Sequence, residues 1–450
     1  MKKSLLLCIF DYHIKTKPMK VIERKHLVPF ILVTSLFFLW GVANNMTDTI
    51  LSAFKRIMSM SDAQTSLIQF AFYGSYFCFA LPAALFIRKK SYKAGVILGL
   101  VLYASGAILF FPAAKTASYL FYLVAIYVMA GGCSVLETTA NPYILSMGSQ
   151  ENATRRLNIA QAFNPLGSIA GILISQYFIL GQLSSADAAD RAAMSAQELE
   201  AVQAHELGAV TGTYMTLGFV LLAIMVVMLL VKMPESRGTD EGSPMDSFRR
   251  LVRNRKYVLG VVTQFFYVGA QIGVWSFTIR LVMQELAIRE ADAATVYLVS
   301  IICFSIARFF FTWLMKMTRP AKLMAFAAGA DILCCIGIVL FAGSGIPAVC
   351  CLVAISFFMS LMFPTIYGIA LGDVEDPARG GHAGDAKIGA SGLIMAILGG
   401  AILTPLQASV SDAFGANMSY LVPLVCFAVV LSYSIYVIRN EKVLSDSQAR

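Results

Sequence analysis

Two carboxylic acids, Asp48 and Glu137, interrupt long apolar stretches of the sequence, and each stands near a carboxamide. Asp48 follows Asn45 by three residues. Glu137 likewise precedes Asn141 by four residues. In a helix, both spacings place the acid and its amide on one face. A carboxyl group among apolar residues is readily neutralised, so it can take up and release a proton. We therefore expect Asp48 and Glu137 to exchange protons, with hydrogen bonding between helices as the alternative.

Further carboxamides and an indole stand at helical spacing in other apolar stretches. Gln161 precedes Asn164 by three residues, and Gln271 precedes Trp275 by four. Carboxamides both donate and accept hydrogen bonds, as sugar hydroxyls do, and an aromatic ring offers a platform for the C–H face of a sugar. An organic anion would instead be bound by Arg or Lys. We expect these residues and Asn141 to bind a neutral polyhydroxy solute, although amides also join helix to helix.

Arg308 and Asp331 are two further charged residues within apolar stretches. They stand at similar estimated depths on consecutive predicted helices. A charge inside the hydrocarbon layer usually pairs with an opposite charge. We therefore predict that Arg308 and Asp331 form a structural ion pair.

The composition indicates a membrane protein. Only 14% of the 450 residues are charged, whereas 58% are hydrophobic. Soluble domains usually carry about a quarter charged residues. The apolar residues form blocks close to the roughly 20 residues that a helix needs to cross a bilayer. The sequence therefore predicts an all-α membrane protein with twelve transmembrane helices.

The remaining composition argues against several functional classes. The net charge of +9 lies in short segments between apolar blocks, where it marks topology, and it forms no stripe that would bind nucleic acid. The 9 cysteines include no CxxC pair, and the 4 histidines are scattered, so we expect no metal site and no catalytic constellation. No GxxxxGK[ST] loop is present. We therefore expect a protein that is not an enzyme, that uses no cofactor and that is driven by an ion gradient.

A segment with two prolines, two glycines and mixed charges at 233–256 divides the predicted helices into six and six. We assign 27–232 to a first six-helix bundle, 233–256 to a linker and 257–438 to a second six-helix bundle. Residues 1–26 form an N-terminal tail, for which Met19 is an alternative start, and 439–450 form a C-terminal tail. The strings FFLWG at 37–41 and FFYVG at 265–269 suggest that the two halves are related.

The distribution of positive charge predicts the orientation. Most of the 35 Lys and Arg residues fall on the side that holds both termini, while the loop at 182–209 on the opposite side is acidic. Positive loops mark the cytoplasmic side of a membrane protein. We expect a multi-pass protein of the bacterial inner membrane with both termini in the cytoplasm.

Several strings of the sequence resemble one known family. The first predicted helix contains FLWGVANNMTD at 38–48, and the fourth contains LETTANPY at 136–143. The fifth contains RLNIAQAFN at 156–164, and the seventh contains YVGAQ at 267–271. These strings resemble signatures of the fucose/proton symporter family of the major facilitator superfamily. The resemblance extends over about 27–438.

This resemblance implies a fold, a function and a set of residues. The fold would be two six-helix bundles that move by alternating access, in a protein that works as a monomer in the lipid bilayer. The function would be symport of L-fucose or a related neutral hexose with a proton. Asp48 and Glu137 would be the protonatable pair, and Asn45, Gln161 and Asn164 would contact the sugar. Because the family includes glucose and galactose transporters, these sugars remain alternatives, as do passive and sodium-coupled transport.

Overall fold

The computed structural model describes residues 21–22, 24–58, 60, 62–116, 118–184, 188–234, 242–372, 374–375, 381–382 and 384–448. All regular elements within this part of the chain are helical. Twelve of its helical segments are long and apolar enough to cross a membrane. The predicted all-α membrane protein with twelve spans is thereby confirmed.

The first six spans are built from eight helices and their breaks. The helices are α1 (Leu27–Ile57), α2 (Asp62–Lys89), α3 (Tyr92–Ile108), α4 (Phe110–Thr116), α5 (Tyr119–Ser146), α6 (Ala153–Gln161), α7 (Phe163–Phe178) and α9 (Ala196–Leu230). A short helix, α8 (Ala188–Ala193), lies in the loop before α9. The pairs α3–α4 and α6–α7 each form one broken span.

The last six spans follow a helix that lies within the predicted linker, α10 (Pro244–Arg253). The spans consist of α11 (Arg255–Leu286), α12 (Glu290–Leu314), α13 (Pro320–Leu340), α14 (Ile346–Phe358), α15 (Met362–Leu371), α16 (Asp385–Met395), α17 (Gly399–Phe414) and α18 (Leu421–Gln448). The pairs α14–α15 and α16–α17 are joined by single 3₁₀ turns at Met359–Leu361 and Ala396–Leu398. The last helix thus continues into the segment that the sequence assigns to the C-terminal tail.

Two of the breaks are placed by proline. Pro165 stands in the first turn of α7, and Pro364 in the first turn of α15. Proline has no backbone N–H, so it cannot donate to the carbonyl four residues earlier. In these two spans, the carbonyls left without that donor belong to Gln161 and Ser360.

Glycines bring α1 and α7 into backbone contact. A Cβ atom on Gly167 would lie 1.8 Å from the carbonyl oxygen of Phe38, and one on Gly41 would lie 2.0 Å from that of Asn164. Gly171 approaches the carbonyl of Val42 in the same way. Small residues allow membrane helices to pack this closely. The two helices are therefore held at a fixed distance along several turns.

The two bundles meet at one end of the molecule, which we call the linker face because α10 lies there. Asn158 of the first bundle donates from Nδ2 to Thr365 Oγ1 of the second at 3.2 Å. One turn further, Gly368 packs so closely on Thr154 that a Cβ atom would lie 2.8 Å from its hydroxyl oxygen. The structure is therefore closed at the linker face.

Helix α10 is bonded to both bundles at this face. Arg88, at the end of α2, donates to Ser247 Oγ at 2.6 Å and to the Gly242 carbonyl at 2.9 Å. Arg250 donates two hydrogen bonds, of 2.8 Å and 2.7 Å, to the carboxylate of Asp385 at the start of α16. These bonds raise the pKa of the Arg250 guanidinium above its ordinary value, so the cation persists at neutral pH.

The α1–α7 contact yields a stability prediction. We expect Gly167→Ala to lower the apparent melting temperature in detergent by several degrees, because overpacking a close contact costs about 1–3 kcal/mol. Gly212→Ala is the matched control, since Gly212 is a helical glycine with no atom within 4 Å of its would-be Cβ. Equal melting temperatures for the two variants would show that the α1–α7 contact does not limit stability.

The linker-face contacts yield a prediction about opening. Asp385→Asn keeps the side-chain shape but removes the charge that Arg250 binds, so we expect the linker face to open more often. Thr365 is fully buried between the bundles, and the labelling rate of Thr365→Cys by a hydrophilic maleimide therefore reports this opening. Labelling should become faster with Asp385→Asn and stay unchanged with Asp412→Asn, whose ion pair with Arg280 is exposed. An unchanged or slower rate with Asp385→Asn would show that the contact of Arg250 with Asp385 does not help to keep the linker face closed.

Candidate functional site

The carboxylate of Glu137 has a tyrosine as its hydrogen-bond partner. Glu137 lies on α5 and is half-buried. Tyr76 of α2 donates from its hydroxyl to Glu137 Oε1 at 3.2 Å. The Tyr76 ring is itself buried against Phe72, with ring centroids 5.4 Å apart. The acid thus retains an accessible side while one oxygen is held by a fixed donor.

A chain of amides begins one helical turn from Glu137. Asn141 donates from Nδ2 to the main-chain carbonyl of Glu137 at 3.1 Å. Its Oδ1 accepts a hydrogen bond of 2.8 Å from Gln161 Nε2 on α6. Asn141 is fully buried, whereas Gln161 is 6% exposed. Since Gln161 Oε1 accepts no hydrogen bond from the described residues, that oxygen remains available to a ligand hydroxyl.

Arg308 links Gln161 to the second bundle through the main chain. It is 3% exposed on α12 and donates from Nη1 to the main-chain carbonyl of Gln161 at 3.0 Å. Its Nε donates to the main-chain carbonyl of Ser360 at 2.7 Å. The guanidinium also lies over the ring of Phe304, 4.6 Å from its centroid. The two carbonyls are those that Pro165 and Pro364 leave without a helical donor.

The predicted ion pair between Arg308 and Asp331 is wrong for this conformation. Asp331 is fully buried on α13, and neither of its carboxylate oxygens has a hydrogen-bond partner among the described residues. Arg308 is satisfied by neutral main-chain carbonyls in its place. Similar depth on consecutive helices predicted contact, but the direction of each side chain around its helix axis decides which group it reaches.

The other candidates of the first bundle lie along the α1–α7 contact. Asn164 is half-buried and donates to the main-chain carbonyl of Phe37 at 3.2 Å. Asn45 is half-buried as well and donates to the carbonyl of Gly41 in its own helix at 3.3 Å. Asp48 belongs to α1, but its side chain lies outside the described residues. Its predicted role therefore stays a prediction.

The candidates of the second bundle differ in how they are held. Trp275 is half-buried on α11, and its indole N–H donates to Ser356 Oγ at 3.4 Å. Its ring meets Phe304 edge to face at 5.0 Å, so it adjoins the ring that lies under Arg308. Gln271 is half-buried and makes no hydrogen bond within the described part of the chain. Its amide is thus unengaged, as a ligand-binding group would be before its ligand arrives.

Sequence reasoning missed several residues of this network. Tyr76 is one of 18 tyrosines, and nothing in its spacing marks it as the partner of Glu137. The bond between Asn158 and Thr365 joins residues 207 positions apart. The prolines Pro165 and Pro364 were a usable signal, because each marks a carbonyl that needs another donor.

The arrangement combines three chemical capabilities. Glu137 can hold a proton or release it, while Tyr76 stays in place as a donor to one of its oxygens. The amides of Gln161 and Gln271, one from each bundle, can bind hydroxyl groups. Arg308 ties the two bundles together through main-chain atoms. Gln161 joins these features, because its side chain bonds to Asn141 and its main-chain carbonyl to Arg308.

Comparisons with known proteins agree with this geometry. The sequence profile described as Major Facilitator Superfamily matches residues 32–386. The L-fucose-proton symporter of Haemophilus influenzae is 41% identical over 429 residues, which cover 92% of this chain and 97% of that protein. The glucose/galactose transporter of Brucella abortus is 31% identical over 405 residues, covering 90% and 92%.

A solved structure and a further relative give the same result. A crystal structure of the transporter FucP in the outward conformation superimposes with a TM-score of 0.84 at 36% identity, covering 92% of this chain and 99% of that one. The L-fucose-proton symporter of Escherichia coli is 38% identical over 422 residues, which cover 92% of this chain and 93% of that protein. The resemblance seen in the sequence strings is confirmed: this chain belongs to the Major Facilitator Superfamily and, within it, to the family of the L-fucose-proton symporters.

Proposed function

We propose that the protein imports L-fucose or a related neutral hexose together with a proton, by alternating access. The observation that carries this proposal is the chain of hydrogen bonds from Tyr76 through Glu137 and Asn141 to Gln161. We assign proton exchange to the Glu137 carboxyl and binding of a sugar hydroxyl to the Gln161 amide, which Asn141 links to the main chain of Glu137. The similarity to two L-fucose-proton symporters over nearly the whole chain supports the same function.

Proton binding to Glu137 changes what the bundles must do to close around it. A carboxylate is costly to enclose without water, whereas a neutral carboxyl costs much less. Protonation therefore permits closure over Glu137, and release on the other side resets the carrier. Asp48 is the second acid of this proposal, on the strength of its place in the sequence.

The sugar is held between the two bundles in this proposal. Its hydroxyls bind carboxamides, and its apolar face lies on the indole. The residues that we assign to it are Asn45, Gln161 and Asn164 from the first bundle and Gln271 and Trp275 from the second, while Asn141 fixes the amide of Gln161. Because the ligand touches both bundles, it can couple its own binding to their movement.

We assign the linker face to the cytoplasm of the bacterium, with both termini on that side and the protein in the inner membrane as a monomer. The excess of Lys and Arg near this face supports the orientation. With the linker face closed, the conformation described is then open to the outside. The structural similarity to FucP in its outward conformation supports this assignment.

Glucose or galactose is the second candidate substrate. The relative from Brucella abortus is a glucose/galactose transporter, and its similarity covers 90% of this chain. Amide side chains bind hydroxyls of any neutral hexose, so the same network serves both candidates.

The function is tested by adding sugars to proteoliposomes or cells in weakly buffered medium. We expect one sugar among L-fucose, galactose and glucose to make the outside more alkaline, because a proton enters with each sugar. Entry of labelled sugar without a pH change would indicate passive transport. If that entry depends on sodium, it would indicate sodium coupling. Absence of entry for every neutral hexose would refute the proposal.

Glu137→Gln separates proton coupling from sugar binding. Asn141 donates to the main chain of Glu137, so this substitution leaves the amide chain in place. We expect the variant to exchange sugar across the membrane but to lose uphill accumulation and sugar-induced alkalinisation. Glu200→Gln, at an exposed position in α9, should retain all three activities. Uphill accumulation that persists in Glu137→Gln would remove this acid from the coupling step.

Trp275→Leu tests the predicted sugar platform. We expect the KM for sugar to rise about twofold to tenfold, since aromatic contacts contribute about 0.5–1.5 kcal/mol beyond the area they bury. The maximal rate should change less, because the proton path on the first bundle is untouched. Trp313→Leu is the matched control, since Trp313 is 52% exposed on α12. A similar rise in KM for both variants would argue against a specific role for Trp275.

A further inference from the structure

Arg308 and Asp331 are opposite charges in one bundle that are both enclosed by protein yet do not bind each other. Asp331 is 0% exposed and has no hydrogen-bond partner among the described residues. Arg308 bonds to carbonyls of Gln161 and Ser360, and no ion pair joins it to Asp331 in this part of the chain. A buried carboxyl with no partner is unusual and calls for an explanation.

The helices that carry the two charges, α12 and α13, both pack against the Met359–Leu361 turn of the second bundle. The Met359–Leu361 turn accepts the Arg308 bond at Ser360 and a 3.0 Å hydrogen bond from the Tyr267 hydroxyl at Met359. Because α12 and α13 share this turn, the Arg308 guanidinium has Asp331 on a neighbouring helix of its own bundle as a possible second partner.

The acceptors that Arg308 uses here differ in what happens when the bundles part. Ser360 belongs to the same bundle as Arg308, so that bond can persist. Gln161 belongs to the other bundle, so opening of the linker face withdraws its carbonyl from Nη1. A buried guanidinium would then have an unused donor, which is costly unless another acceptor replaces the lost one.

We propose that Arg308 is a two-position switch, bonded to the Gln161 carbonyl when the linker face is closed and to the Asp331 carboxylate when it is open. Asp331 is thus a positioning residue for transport that stabilises the conformation opposite to the one described. Pro165 makes the first position possible, because it removes the helical donor that would otherwise occupy the Gln161 carbonyl. The proposal rests on alternating access as stated in the proposed function.

The test uses the labelling rate of Thr365→Cys in a background whose 9 native cysteines are replaced. With Asp331→Asn, the open conformation loses its charged acceptor, so labelling should slow by about tenfold or more, the factor that one charged hydrogen bond provides. With Pro165→Ala, the restored backbone N–H competes for the Gln161 carbonyl, so labelling should become faster. Asp292→Asn, which alters an exposed ion pair on α12, is the control and should change nothing.

A double substitution tells whether Asp331 acts through Arg308. In an Arg308→Gln background, adding Asp331→Asn should leave the labelling rate unchanged. An effect of Asp331→Asn that persists in that background would overturn the switch, as would an unchanged or faster rate with Asp331→Asn alone. A rate with Pro165→Ala that is unchanged or slower would overturn the part played by the Gln161 carbonyl.

Two further results separate this proposal from the function on which it rests. If the parent Thr365→Cys protein is never labelled, alternating access fails, and the switch fails with it. If labelling occurs without the expected differences while sugar-induced alkalinisation persists, the switch alone fails. A structure of the unsubstituted protein open at the linker face decides the point without any variant: the switch requires an Arg308–Asp331 ion pair there, and separated side chains would overturn it.

Discussion

Within the hydrocarbon layer there is no water to satisfy a polar group, so each carbonyl, amide and charge of a spanning helix needs a partner in the protein. This constraint explains why the central arginine is where it is. Pro165 and Pro364 each leave one carbonyl without its helical donor, on opposite sides of the interface between the bundles. Arg308 donates to both carbonyls, so helix breaks that would be costly alone become a polar link between the halves.

The same constraint shapes the candidate site in the first bundle. Glycines at positions 41, 167 and 171 let α1 and α7 approach until backbone meets backbone. This contact fixes the position of the α7 backbone that carries Asn164. On the neighbouring helices, Asn141 donates to the main-chain carbonyl of Glu137 and accepts from Gln161, so it fixes the Gln161 amide relative to α5. The groups left with unused capacity are the ones that a ligand would meet. Rigid packing around such groups suits the binding site that we propose, because a preorganised site loses less entropy when its ligand binds.

The contacts that close the linker face are numerous but individually modest. A hydrogen bond between two amide or hydroxyl side chains, such as that of Asn158 and Thr365, contributes about 0.5–1.5 kcal/mol. The Arg250–Asp385 pair is stronger, with Asp385 only 1% exposed, but it joins α10 to the second bundle and does not cross between the bundles. A carrier must populate both conformations, so an interface of replaceable contacts suits it better than one extensive apolar seal.

The sequence by itself determined that the chain spans the membrane with twelve helices, which of its polar residues stand inside those spans, and which family it belongs to. Hydrophobic length and charge content suffice for the first two, because a bilayer imposes them on each segment separately. The tertiary structure alone decided which polar groups meet: Tyr76 reaches Glu137, Gln161 reaches Asn141, and Arg308 bonds to carbonyls instead of Asp331. These pairings depend on the rotation and tilt of helices that are far apart in the chain. Periodicity within one helix carries no information about those quantities, and they become fixed only when all the helices pack together.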